Sequence, residues 1–270
     1  MFGLIDFSRK SFKVSFDRYL EHFRRNSMST SLSSSSTPSE RSRLQQIINL
    51  LVGIMGFVLP AALYYFSGET DLRGSMSSYY HTDSKPIFIG YLIILGFLLI
   101  IYQGYGRIDN LLSVTAGLSA WAVALFPTVD SGLPRDLAGY VHVVASTLLF
   151  LIIAYFCLRI FTKRSGVITS KKIWRDRVYK LSGYVILFSL AMIALPNVWE
   201  RSYPTNWTFG FEYLTNTAFG LAWITKANGI FFLNEDPISR WTLREFLGYL
   251  ALMVYIVISF YMIAVITPAF

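Results

Sequence analysis

Cysteine, histidine and charge are all scarce in this chain, and each scarcity excludes something. One cysteine, Cys157, stands among 270 residues, so no intrachain disulfide can form and the redox compartment stays open. Cys157 lies inside an apolar run and reads as a small hydrophobe. Charged residues are only 15% of the chain, hydrophobic ones are 54% and mean hydropathy is +0.47. Soluble domains carry about 25% charged residues, and a soluble fold this apolar would lack polar side chains for its surface. A bilayer removes that need, because the lipid-facing surface must itself be apolar. Recognisable catalytic motifs are missing as well. No GxxxxGK[ST] loop, glycine-rich dinucleotide fingerprint, HExxH or HxxxH is present. No short apolar signal-peptide core precedes Ile47, so the first membrane helix is expected to serve as an uncleaved targeting signal.

What is abundant is positive charge near apolar runs. The net charge of +8 could suggest nucleic acid, but the basic residues gather in blocks beside hydrophobic segments. That pattern anchors a chain to anionic lipid, so membrane lipids are the expected partners and nucleic acid is not. In residues 1–25, Phe12, Phe16, Tyr19, Leu20 and Phe23 recur at helical spacing among lysines and arginines. Two readings stand: an amphipathic helix on the cytoplasmic leaflet, or a partly ordered basic tail. Residues 26–43 are serine-rich and read as a flexible tether. The expected organisation is a basic cytoplasmic tail over 1–46 and a transmembrane domain over 47–270.

Seven apolar segments follow: Ile47–Phe66, Pro86–Tyr102, Leu111–Phe126, Ala138–Phe161, Tyr179–Leu195, Trp207–Ile224 and Phe246–Ile266. A crossing helix needs about 20 residues. Proline opens or follows several of them, and Pro60 inside the first predicts a kink. Tyrosines and tryptophans sit near many of the ends, as in an interfacial belt. The sixth segment is the weakest, with Glu212, Asn216 and several threonines; a six-helix alternative drops it. Charge asymmetry favours seven. With seven crossings and the N-terminus inside, 19 of the 24 lysines and arginines are cytoplasmic and four external, while Arg159 lies near a cytoplasmic helix end. The predicted fold is therefore an all-α, polytopic bundle of about seven helices with a cytoplasmic N-terminus, placed as a multi-pass protein of the cell membrane.

This topology collects chemically capable residues on the outer face. The first external loop carries Arg73, Ser77, Tyr80 and His81, and the second carries Asp130, Arg135 and Asp136. His142 and Glu212 each come about one turn into a helix at its outer end. Arg73, Ser77, Tyr80, His81, Asp130, His142 and Glu212 are the candidate ligand-binding residues. One reading is a site for a lipid or other small ligand, without a cofactor. A second makes His81, His142 and Glu212 the ligands of a zinc ion in an outward-facing membrane hydrolase. Two histidines and a carboxylate leave one coordination position for water, with Asp130 or Asp136 to orient an imidazole. A third is purely structural, with His81 solvated and His142 and Glu212 bonded between helices. A transporter or channel would need a polar path, for which Asn49, Asn197 and Asn216 are the few candidates. Whether the protein is an enzyme stays open.

Several stretches resemble an uncharacterised family of bacterial multi-pass integral membrane proteins. They are SMSSYYHT at 75–82, YQGYGRIDN at 102–110, ALFPT at 124–128, HVVAS at 142–146, RDRVYKLSGYVIL at 175–187 and FEYLTNTAFGLAWITK at 211–226. The resemblance implies an integral fold in a bacterial inner membrane and no particular reaction. Ser77 and His81 are also similar to the Ser-xxx-His element of the ceramidase and adiponectin-receptor superfamily. That superfamily's paired histidines are absent from Phe246–Ile266, so its zinc site cannot be assembled here in the same way.

Overall fold

The computed structural model describes residues 38–129, 134–163, 169–195 and 205–228. Helix α1 spans Pro38–Tyr65 and a short 3-10 helix Ser77–His81. Then come α2 (Lys85–Ile101), α3 (Arg107–Leu125), α4 (Leu137–Tyr155), α5 (Ser170–Ala194) and α6 (Trp207–Lys226). There is no strand among the described residues. The chain divides into two units, residues 1–44 and 45–270, and of the first only the beginning of α1 is described. The amphipathic stretch near the N-terminus and the segment Phe246–Ile266 lie outside the described residues.

Six of the seven apolar segments are thus helices. Four stretches are long and apolar enough to cross a bilayer: Arg43–Tyr65, Arg107–Leu125, Leu137–Ile160 and Ser170–Ala194. Lys85–Ile101 is apolar but has 17 residues. Local chemistry sets the boundaries. Pro86 sits in the first turn of α2, where its missing N–H costs nothing. Asp136 caps α4 by accepting from Gly139 N, and Thr169 caps α5 by accepting from Lys172 N. Helix α1 continues through Pro60. Helix α5 begins nine residues before Tyr179, so its first turns are basic and polar rather than apolar.

Hydrogen bonds between connecting stretches define two opposite ends of the bundle. At one end Phe209 N donates to Gly74 O, His81 Nε2 to Thr128 O and Trp207 Nε1 to Met192 O. At the other, Gln103 N donates to Gln45 Oε1, Lys163 Nζ pairs with Asp109 at 2.6 Å and Arg175 bonds Asn228. Successive helices therefore run in alternate directions, and their connections alternate between the two ends.

Helix α6 has the least apolar look of the set and lies deepest, with 11 of its 20 residues buried. It meets α1 where a Cβ built on Gly220 would stand 2.9 Å from the Gly53 carbonyl oxygen. Small residues allow this approach. Near the end of α6, Trp223 stacks against Phe156 and meets Phe161 edge-on at 4.7 Å. Phe156 and Phe161 would lie on different faces of an ideal α-helix. One π turn over Phe156–Ile160, closed by Phe161 N to Phe156 O, turns both toward Trp223.

The same end carries a tyrosine among ammonium groups. Lys226 Nζ donates to the Tyr105 hydroxyl at 2.8 Å, and Lys163 and Lys226 both lie over its ring. Desolvation raises the phenol pKa, but Lys226, with help from Lys172 and Lys163, outweighs it and holds the pKa below the ordinary value. Cations favour the phenolate, so removing one must raise the pKa. In an ultraviolet pH titration, the transition lost in Tyr105→Phe should fall below about pH 10, the free-tyrosine value. Lys226→Gln should move it upward; an unmoved transition would contradict the cluster.

Candidate functional site

The end of the bundle that holds the 3-10 helix encloses a chamber of about 570 Å³. The stretch 74–78 and Thr128 and Val129, which follow α3, contribute one wall; α4, α5 and α6, with Arg135 and Thr205 beside them, contribute the rest. Ser77, His142 and Glu212 all line it, as do Arg135, Ser146 and Thr208. These positions follow helical periodicity. His142 and Ser146 are one turn apart on α4, and Thr208, Glu212 and Thr215 recur at i, i+4 and i+7 on α6.

His142 is 2% exposed. Its Nδ1 lies 2.7 Å from the Phe126 carbonyl oxygen, which can only accept. Nδ1 therefore carries a hydrogen, and in the neutral ring Nε2 is left as an acceptor. Nε2 is buried and has no hydrogen-bond partner among the described residues. Glu212 is fixed from the opposite wall. Its Oε2 accepts the Met76 amide, and the Ser77 hydroxyl bonds to the same carboxyl group. Beneath the chamber a narrow apolar pocket of about 50 Å³ reaches into the bundle between Leu92, Leu95, Val123 and Phe219. Ser77, Ser146, Phe150 and Glu212 line both spaces, so the two adjoin.

The other expected site residues fall elsewhere. His81 is exposed and donates to Thr128 O. It does not line the chamber, although it follows Ser77 by four residues. In an α-helix that spacing shares a face, but at 3.0 residues per turn the two side chains diverge by about 120°. Arg73 pairs with Glu69 at 3.1 Å. Tyr80 lies under Lys85, 4.4 Å from ring centre to Nζ, and edges onto Phe88. Asp130 is outside the described residues. Asp136 caps α4, and the Phe126 carbonyl sets the His142 tautomer in its place. Among the described residues no group of three or more His, Cys, Asp or Glu side chains is arranged to hold a metal ion.

The first connecting loop is itself part of the fold. Tyr79 is fully buried against Phe209. Desolvation pushes its phenol up to about 12, although its oxygen accepts the Arg73 amide. Apart from Ser77, the chamber's hydroxyl groups are not among the residues the sequence singles out, although those on α6 share a stripe with Glu212.

Fold and site together define an all-helical bundle with membrane-crossing helices and a polar chamber at one end. A search of protein-family models, curated proteins and solved structures finds no match to the chain.

Proposed function

We propose that this is a seven-crossing membrane protein with a cytoplasmic N-terminus, and that its chamber binds a small polar molecule or a lipid headgroup on the extracytoplasmic face. The distribution of lysine and arginine supports the orientation. The chamber lies at the end whose connections carry few basic residues, while Lys163, Lys172, Arg175 and Lys226 lie at the other. The observation that carries the binding role is the chamber itself, about 570 Å³ in volume and lined by Arg135, His142 and Glu212 together with Ser77, Ser146 and Thr208.

Native mass spectrometry of the protein extracted under mild conditions tests this. The wild type should carry a noncovalent 1:1 adduct that is at least tenfold depleted in Ser146→Phe, whose ring would occupy the chamber from the wall it shares with the pocket. Equal adduct in both proteins, or steady chemical turnover of the bound molecule, would overturn a binding role.

A further inference from the structure

The charged cluster around Tyr105, at the end of the bundle opposite the chamber, does not balance. Its carboxylates are Asp109 and Asp176, both buried. Asp109 Oδ2 accepts the Tyr105 amide at 3.0 Å and Lys163 Nζ at 2.6 Å. Asp176 Oδ1 accepts Lys172 Nζ at 2.6 Å. Lys226 reaches no carboxylate among the described residues. Its Nζ donates to the Tyr105 hydroxyl and lies 5.3 Å from the Phe161 ring centre.

Donors are in excess as well. An ammonium group has three hydrogens to give. Lys226 gives one to Tyr105 and Lys163 gives one to Asp109, so each keeps two. The Tyr105 hydroxyl only accepts in its bond with Lys226, so its own hydrogen is also available. These groups are within reach of solvent: Tyr105 is 61% exposed and the Lys163 side chain 45%. They are held in place from three stretches of chain. Lys163 Nζ stands 5.5 Å and Lys226 Nζ 5.1 Å from the centre of the one Tyr105 ring. Arg175 bonds Asn228, two residues past Lys226, and so fixes the end of α6. Ammonium groups gathered at one ring repel each other. The C-terminus of α6 offsets only about half an elementary charge.

We infer that Lys163, Lys226 and the Tyr105 hydroxyl form a second binding site, for a phosphate group. Lysine takes phosphate as a point charge, without the fixed fork of arginine. A phosphate oxygen accepts from each of the three groups, and its charge removes the repulsion between the ammoniums. At a bilayer edge such a group comes from an anionic lipid or from a phosphorylated solute, and the recognition chemistry is the same. The site is separate from the chamber and does not depend on what the chamber binds.

The test uses full-length protein in nanodiscs near neutral pH and at constant ionic strength. Equilibrium dialysis against labelled pyrophosphate, in phosphatidylcholine discs, reads the soluble source. Native mass spectrometry of discs holding phosphatidic acid and phosphatidylcholine of identical acyl chains reads the lipid source. At least one probe should bind saturably at one site per protein. That binding should fall about tenfold or more in Lys226→Gln and return in Lys226→Arg. Lys226→Gln takes no partner from a buried carboxylate. Tyr105→Phe, which removes a hydroxyl alone, should weaken binding about threefold. Lys85→Gln removes the same charge at the chamber end, where Lys85 lies over Tyr80, and should leave binding unchanged. Binding of phosphatidic acid alone assigns the source to the leaflet, and binding of pyrophosphate alone assigns it to the aqueous phase; either supports the site. No saturable binding of either probe, or equal losses in Lys226→Gln and Lys85→Gln, would overturn it.

Discussion

Trp223→Ala lowers the stability of the bundle by about 4 kcal/mol, as expected for truncating a fully packed tryptophan. Trp223 is 0% exposed. It touches Phe219 on its own helix and Phe156 and Phe161 across the π turn, with Tyr179 of α5 against Phe161. Alanine leaves a void among four aromatic rings held by three helices, and none of them can close it without moving another. In a bilayer this loss is one of packing more than of water exclusion, because lipid tails are as apolar as the core. Equilibrium unfolding in mixed micelles measures it. A loss under about 1 kcal/mol would mean the aromatic cluster does not hold α6.

Gly220→Val has the second largest effect, about 3 kcal/mol at the upper end for overpacking. The side chain would be directed at the Gly53 carbonyl oxygen at 2.9 Å and the Phe57 ring at 3.0 Å. Backbone cannot rotate away as a side chain can, so α1 and α6 must separate. Gly210→Val on the same helix is the control. A Cβ there meets nothing within 4 Å, and its cost should stay within about 0.5 kcal/mol. Equal effects at the two glycines would show that helix propensity, not the crossing, sets the cost.

Both predictions concern the helix that hydropathy rated lowest. The reason is physical. Hydropathy measures fitness for lipid, and α6 is surrounded mostly by protein. Thr215, Asn216 and Thr225 are buried and bonded to carbonyls one turn back or near neighbours. Such residues lower an apolar score without exposing polarity to lipid. Helices with faces toward lipid, such as that over Leu137–Ile160, were plain in the sequence.

The site was legible in the same uneven way. His142 and Glu212 stood out as ionisable groups one turn inside apolar segments, and both line the chamber. Ser77 joins them through an ordered loop whose Gly74 carbonyl is tied to Phe209. His81 looked equivalent because spacing along the chain says nothing of helix type, and a 3-10 turn sends it outward.

The account stands on the chamber opening to the extracytoplasmic side. Cys157, the sole cysteine, is fully buried, so introduced thiols report without background. Thr205 is exposed at the chamber mouth and Gln103 is exposed at the opposite end. With a membrane-impermeant maleimide on intact cells, Thr205→Cys should label at once and Gln103→Cys only after permeabilisation. Labelling of Gln103→Cys alone, or of both from outside, would contradict it.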